Sequence, residues 1–279
     1  MRDKPITADM ADTADTAVKA DIHDPALAAA TGAAAAGTGP RTHDDLPALT
    51  EQARTLLYGR RSAGRVLLGL TGPPGAGKST LARHLVAEIC RTEGPGSAAY
   101  LPLDGFHLSN AQLDRLGLRA RKGAPHTFDA HGYVALLRRV EQDRFGDIYV
   151  PDFDRDLDEP VAARHLVSPQ TRLVITEGNY LAAADRPWPE ARALLRELWY
   201  VDADDSVREA RLLSRHTAGG RSETGSETGS ETGSEAEARQ RVTSNDRPNG
   251  EYVKTGRAVC TRVVRLGELP SPPPSRSVD

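Results

Sequence analysis

The residues best able to do chemistry stand between Arg65 and Leu85, in the stretch RVLLGLTGPPGAGKSTLARHL. Its centre, Gly72, Pro73, Pro74, Gly75, Ala76, Gly77, Lys78 and Ser79, followed by Thr80, fits the phosphate-binding pattern G-x-x-x-x-G-K-[ST] in full. Glycines at these positions let the backbone turn tightly and approach a phosphate chain without Cβ clashes. The loop amides then point into a concavity, and the positive end of the following helix adds to the field. Lys78 supplies a mobile cation for the outer phosphates, and the Ser79 hydroxyl suits Mg²⁺. The flanks agree with this. Val66, Leu67, Leu68 and Leu70 form a nearly continuous apolar run, as in a strand buried on both faces. After the loop, Leu81, Leu85 and Ile89 recur at helical spacing.

A second set of reactive residues lies at the ends of further apolar runs. Residues 98–103 read as a strand ending at Asp104, residues 173–176 as a strand ending at Glu177, and residues 198–201 as one ending at Asp202. Ligands of open α/β sheets sit at the carboxyl ends of strands. Carboxylates beside a phosphate site are costly there unless a cation or a proton transfer uses them. A helix beginning at Asp204 or Asp205 and running to about His216 carries Arg208, Arg211 and Arg215 on one face.

The elements that position these residues follow in order. Leu46 to Arg61 predicts a short amphipathic helix, Tyr133 to Val140 a helix, and Ala191 to Leu198 another. Leu108 to Asp129 reads as a polar loop, Tyr149 to Glu159 as an acidic irregular connection, and Val259 to Leu266 as the last strand. Strands alternating with helices predict an α/β three-layer sandwich with a mostly parallel central sheet. The strand–helix–strand spacing around the loop argues a right-handed βαβ unit.

The 279 residues suffice for one generous domain, with 38% hydrophobic and 27% charged content and a net charge of −3. That balance gives no electrostatic case for a nucleic-acid partner, and no basic, aromatic-interleaved stretch appears. No apolar run approaches the ~20 residues needed to span a bilayer. Cys90 and Cys260 lie far apart without ligand spacing, which suits a reducing cytoplasm, and no signal-peptide h-region stands at the N-terminus. The expected localisation is cytoplasmic. Residues 1–45 and 269–279 are low in complexity and predict disordered tails around a domain at 46–268.

Five motifs in order, GPPGAGKST, LDGFH, KGAPHTFD, VITEGNY and RPN, resemble the P-loop small-molecule kinases of the phosphoribulokinase, uridine kinase and bacterial pantothenate kinase group, above all its nucleoside/nucleotide kinase branch. The resemblance covers roughly residues 50–267. It implies an ATP- and Mg²⁺-dependent kinase acting on a hydroxyl of a nucleoside, a sugar or a pantothenate-like alcohol. In that reading Asp104 is the general base, or else a ligand of Mg²⁺-bound water. Glu177 sits near Mg²⁺ or the acceptor. His107, Lys122 and Tyr180 contact the acceptor, Arg211 and Arg215 line the lid, and Asn245 and Asn249 close the acceptor pocket. The partner implied is a small-molecule acceptor, and a homodimer is left open.

One departure from the group falls in the lid, at about 211–245. Ser-Glu-Thr-Gly is repeated from Ser222 and the run ends at Ser234-Glu235. Such a repeat has no apolar face and predicts a flexible insertion over 222–235. Two consequences stay open: a harmless insertion, or a lid whose closure is impaired by it and by its glutamates. The second functional reading, a nucleotide-binding switch or adaptor without metabolite kinase activity, draws on that lid and the long tail. No Asn-Lys-x-Asp guanine motif is present.

Overall fold

The apolar run after Arg65 forms the centre of the sheet. The structure, a computed structural model, describes residues 43–58, 64–219 and 231–267, which fall within one compact unit, Thr42–Asp279. The chain runs α1 (Leu46–Thr55), β1 (Val66–Thr71), α2 (Lys78–Glu93), β2 (Ala98–Pro102), α3 (Asn110–Arg115), α4 (Ala130–Gln142), β3 (Ile148–Asp154), β4 (Glu159–Val167), β5 (Leu173–Glu177), α5 (Trp188–Ala193), β6 (Glu197–Asp202), α6 (Asp205–Gly219), α7 (Glu231–Arg241), α8 (Arg247–Lys254) and β7 (Arg262–Arg265). The central sheet has five strands, all parallel, in the order β2-β5-β1-β6-β7. β1 therefore lies in the middle, with Glu177 and Asp104 approached on one side of it and Asp202 on the other.

Alternation along the strands divides two apolar layers. Leu68, Leu70, Tyr100, Ile175, Trp199 and Val201 face α1 and α2, packing on Leu49, Ala53, Leu81, Leu85 and Ile89. Leu67, Ala99, Leu101, Val174, Leu198 and Tyr200 face the other way, onto Tyr133, Val134, Leu137 and Val140 of α4. Because both faces are covered, the strands read as continuous apolar runs. The result is the three-layer sandwich expected.

Several local expectations differ from the structure. Residues 149–159 belong to a two-stranded antiparallel hairpin, β3–β4, with Ile148 opposite Val167 and Asp154 opposite Glu159. Ile148, Val150 and Val167 point into the core while the remaining positions are half-buried or exposed, so only one end shows a buried alternation. The helix expected at Ala191–Leu198 instead begins at Trp188 and ends at Ala193, because Pro187 and Pro189 set its first turn. Within the polar stretch after Leu108, Ser109 caps α3 by accepting from the Gln112 amide at 3.2 Å. The last strand is Arg262–Arg265, and Leu266 adds an isolated bridge to Asp44. The expected first tail lies outside the described residues up to 42. The lid insertion is described only from Glu231, where α7 begins and packs on α6.

Candidate active site

The phosphate loop leaves β1 at Gly72, whose φ is +146°. A Cβ there would stand 2.2 Å from the Val201 carbonyl oxygen, so the close β1–β6 approach requires glycine. Beyond the loop, the first amides of α2 have no intrahelical acceptor and are open to an anion. Lys78 folds back over the loop, donating from Nζ to the Pro73 carbonyl at 3.1 Å. Burial pushes its ammonium down to about 8.

α6 grips the same loop from behind. Arg208 Nη1 donates to the Pro74 carbonyl at 3.0 Å, and its Nη2 donates to Asp205 at 2.6 Å. Arg211 Nη1 donates to the Gly75 carbonyl at 3.3 Å. The helical spacing of these arginines thus places two of them on loop carbonyls. Arg215, one turn further, lines the adjoining cavity. Burial, with Arg155 nearby, lowers its basicity, while Asp104, Asp246 and Glu177 act the other way.

At the end of β5, Glu177 is 3% exposed, and its Oε1 accepts from Ser79 Oγ at 2.8 Å and from Tyr100 OH at 2.7 Å. Burial, and then the neighbouring Asp104 charge, raise its carboxyl above the ordinary range; Lys78 opposes this. Asp104 follows β2 in a tight turn over Leu103–Phe106. Its side chain is 32% exposed and lies 3.7 Å from the Arg155 guanidinium. Gly105 brings this turn against the hairpin, since a Cβ would meet the Pro151 carbonyl oxygen at 2.4 Å.

Beside Asp104 opens a cavity of about 590 Å³ lined by Asp104, His107, Lys122, Phe153, Arg215 and Asn249 among others. His107 packs against Phe128 and Phe153, with ring centres 4.1 and 4.8 Å apart. Its Nδ1 is 2.7 Å from the Asp104 carbonyl oxygen, which can only accept. Nδ1 therefore carries the proton and Nε2 keeps its lone pair. Burial lowers the imidazole pKa, which favours this neutral form.

The other residues expected at the acceptor divide. Lys122 is buried, and its ammonium is fully engaged by Asn110 Oδ1 at 2.6 Å, the Asp158 carbonyl, and the Asp158 carboxylate at 3.0 Å. It ties the tip of the hairpin to the segment after α3. Asn249 lines the cavity and contacts Asn245, whose amide donates to the Lys122 carbonyl at 2.8 Å. Tyr180 is fully buried behind the cavity wall and donates to the Gly123 carbonyl. Asp202 is turned to Arg257 and Arg265, at 3.5 and 3.1 Å.

The site also contains residues that the sequence did not single out. Phe153, Arg155, Asp156 and Asp158 enter from the hairpin. His216 of α6 and Asp246, 2.7 Å apart, join α6 to the π turn Val242–Asp246 before α8. The run of alternate aspartates, Asp154, Asp156 and Asp158, was the available sign of the hairpin turn. Tyr100 gave none, being one aromatic in an apolar strand.

Mg²⁺ prefers hard oxygen ligands and keeps waters and phosphate oxygens of its own. Ser79 and Glu177 fit that need. The serine proton is directed at Oε1, which leaves the hydroxyl lone pairs available. Among the described residues no group of three or more His, Cys, Asp or Glu side chains is gathered to hold a metal.

No family model matches the chain. A Schizosaccharomyces pombe protein named "Putative uridine kinase" is 36% identical over 194 residues, covering 68% of this chain and 78% of the relative. The crystal structure of a "putative fructose transport system kinase" from Silicibacter sp. TM1040 superposes with a TM-score of 0.67 at 32% identity, over 79% of this chain and 98% of that one. YFH7 from Saccharomyces cerevisiae, 22% identical with a TM-score of 0.63, covers 80% of this chain and 99% of its own and shares the fold. The chain belongs to the P-loop small-molecule kinases of the uridine kinase-like group. It is an ATP-dependent phosphotransferase whose partner is a small molecule. Among the described residues, no helix is long and apolar enough to cross a membrane.

Proposed function

We propose that this kinase transfers the γ-phosphoryl group of ATP to a hydroxyl of a small metabolite, with Mg²⁺ held through Ser79 and Glu177. The observation that carries the proposal is the position of Asp104: a part-exposed carboxylate at the edge of the cavity, on the same strand-end rim as the phosphate loop. Bound Mg²⁺·ATP supplies the electrophilic phosphorus and a neutralised leaving group. Asp104 takes the proton from the acceptor hydroxyl as its oxygen bonds to that phosphorus and the bridging oxygen departs with ADP. Lys78 and Arg215 offset the charge on the transferring group, while Arg208 and Arg211 keep the loop in shape. Loop residues 72–80 hold the phosphate chain.

His107, Phe128 and Phe153 offer flat apolar faces to the acceptor, and Asn249 with the bare Nε2 of His107 offers polar contacts at its edge. That mixture supports a nucleoside or a sugar, the classes named for the two relatives, over a pantothenate-like alcohol. Tyr180 shapes this pocket from behind, and Lys122 lines it with its ammonium held by Asn110 and Asp158. α6 and α7 form the lid, spanning about 211–245. A nucleotide switch without an acceptor is not favoured, because a cavity for a second ligand adjoins the loop.

The test is ATP consumption against a panel of nucleosides, sugars and vitamins. One acceptor should stimulate ADP release, and Asp104→Ala should abolish that stimulation. Undiminished turnover in this variant would remove the assigned base.

A further inference from the structure

Tyr100 takes no part in the chemistry above, yet it makes the innermost contact of the site. It lies on β2 opposite Ile175 of the parallel strand β5, so its side chain rises on the same face as Glu177, two residues further along. The ring is buried among the apolar side chains under α2, while its hydroxyl reaches Glu177 Oε1 at 2.7 Å. Two further contacts fix the ring. The Arg83 guanidinium of α2 lies 5.2 Å over it, and the His165 ring of β4 meets it edge-on at 5.1 Å. Arg83 and His165 are both tied to Asp152 of β3, at 3.5 and 2.9 Å.

Glu177 Oε1 is thus occupied by two donors, Tyr100 and Ser79, while Oε2 carries no hydrogen bond among the described residues. A carboxylate held by one oxygen is fixed in rotation, and its second oxygen stays available to a cation. We propose that Tyr100 is a positioning residue for the metal site: its hydroxyl sets the rotation of the Glu177 carboxylate and keeps Oε2 free for Mg²⁺. The inference rests on the reading of Ser79 and Glu177 as the Mg²⁺ ligands. The competing account is that the ring fills the core and the hydroxyl is merely satisfied.

Metal binding separates the two. Mn²⁺ is titrated into the full chain with a non-hydrolysable ATP analogue present, and free Mn²⁺ is followed by electron paramagnetic resonance. Tyr100→Phe keeps the ring and removes only the hydroxyl. Its Mn²⁺ affinity should fall about 10–100-fold, the usual range for loss of a partner behind a metal ligand. Analogue affinity in EDTA should be unchanged. Glu177→Gln should weaken Mn²⁺ binding as well, and the double variant should be no weaker than Glu177→Gln alone, since Tyr100 acts through that carboxylate.

Unchanged Mn²⁺ affinity in Tyr100→Phe, with Glu177→Gln impaired, would overturn the role of Tyr100 and leave the metal site standing. Unchanged affinity in both would overturn the Mg²⁺ assignment itself. Additive losses in the double variant, or an equal loss of metal-free analogue binding, would make Tyr100 a packing residue only.

Discussion

Nucleotide affinity should depend steeply on pH above neutrality because of Lys78. Lys78 is 7% exposed, its ammonium donates to one loop carbonyl, and burial holds its pKa at about 8. When phosphate oxygens arrive, the charged form gains partners and the pKa rises, so binding is coupled to proton uptake. Around pH 7 about nine-tenths of the free protein is already protonated, and around pH 9 about one-tenth. Metal-free ATP should therefore bind about tenfold more weakly at the higher pH, a difference of about 1.4 kcal/mol. Isothermal titration in EDTA, repeated in buffers of different ionisation enthalpy, reads both the affinity and the protons taken up. Lys78→Met should bind more weakly throughout and lose the pH dependence. A dissociation constant that stays flat over this range in the unmodified protein would refute the account of a depressed lysine. The same depression affects the unliganded fold. Between about 8 and the ordinary 10.5 the folded chain binds fewer protons at Lys78 than the unfolded chain, so this residue makes stability rise with pH across that window.

Other perturbations follow from the same geometry. Asp104→Asn should lower turnover about 10²–10⁴-fold once an acceptor is known, the range for a positioned base, with urea stability almost unchanged because the side chain is one-third exposed. Gly72→Ala forces a Cβ to within 2.2 Å of the Val201 carbonyl at a φ of +146°; urea unfolding should show a loss of at least about 1–3 kcal/mol, and an unchanged midpoint would contradict the close approach. Arg208→Met leaves the Pro74 carbonyl without its donor, so stability should fall by about 1–3 kcal/mol and analogue affinity should fall with it.

Much of this could be read from the chain because its chemistry sits on continuous local patterns. The loop, its strand and its helix are contiguous, and burial of the sheet on both faces turns β1, β2, β5 and β6 into visible apolar runs. Asp104 and Glu177 followed from those runs by position at strand ends. The hairpin did not follow, because β4 exposes Ala162, Ala163 and Arg164 and so carries little apolar alternation. α5 was displaced by prolines that favour an early start. The arginine face of α6 was legible as a face, but the division of labour along it was not. That Arg208 and Arg211 hold loop carbonyls while Arg215 reaches the cavity depends on where the helix crosses the loop. Lys122 and Tyr180 show the same limit. Their motif puts them near the acceptor, whereas their partners, Asp158 and the Gly123 carbonyl, come from packing across the chain.

The β3–β4 hairpin stands outside the five-stranded sheet, yet it contributes one wall of the cavity. Around its turn it is held to the site by side chains and one close backbone approach, among them Gly105 against Pro151, Arg155 on Asp104, Lys122 on Asp158, and Glu159 on the Asn110 amide at 3.0 Å. Changes in the length or composition of the turn at 155–157 need not disturb the register of β1, β2 or β5, and loop insertions carry only a slowly growing entropic cost. On the proposed reading, drift in this one exposed turn can therefore retune which acceptor is admitted while the donor half of the enzyme is inherited intact. A scaffold divided in this way lends itself to diversification: exchanging the turn between relatives should transplant preference for one acceptor without rebuilding the machinery that cleaves ATP.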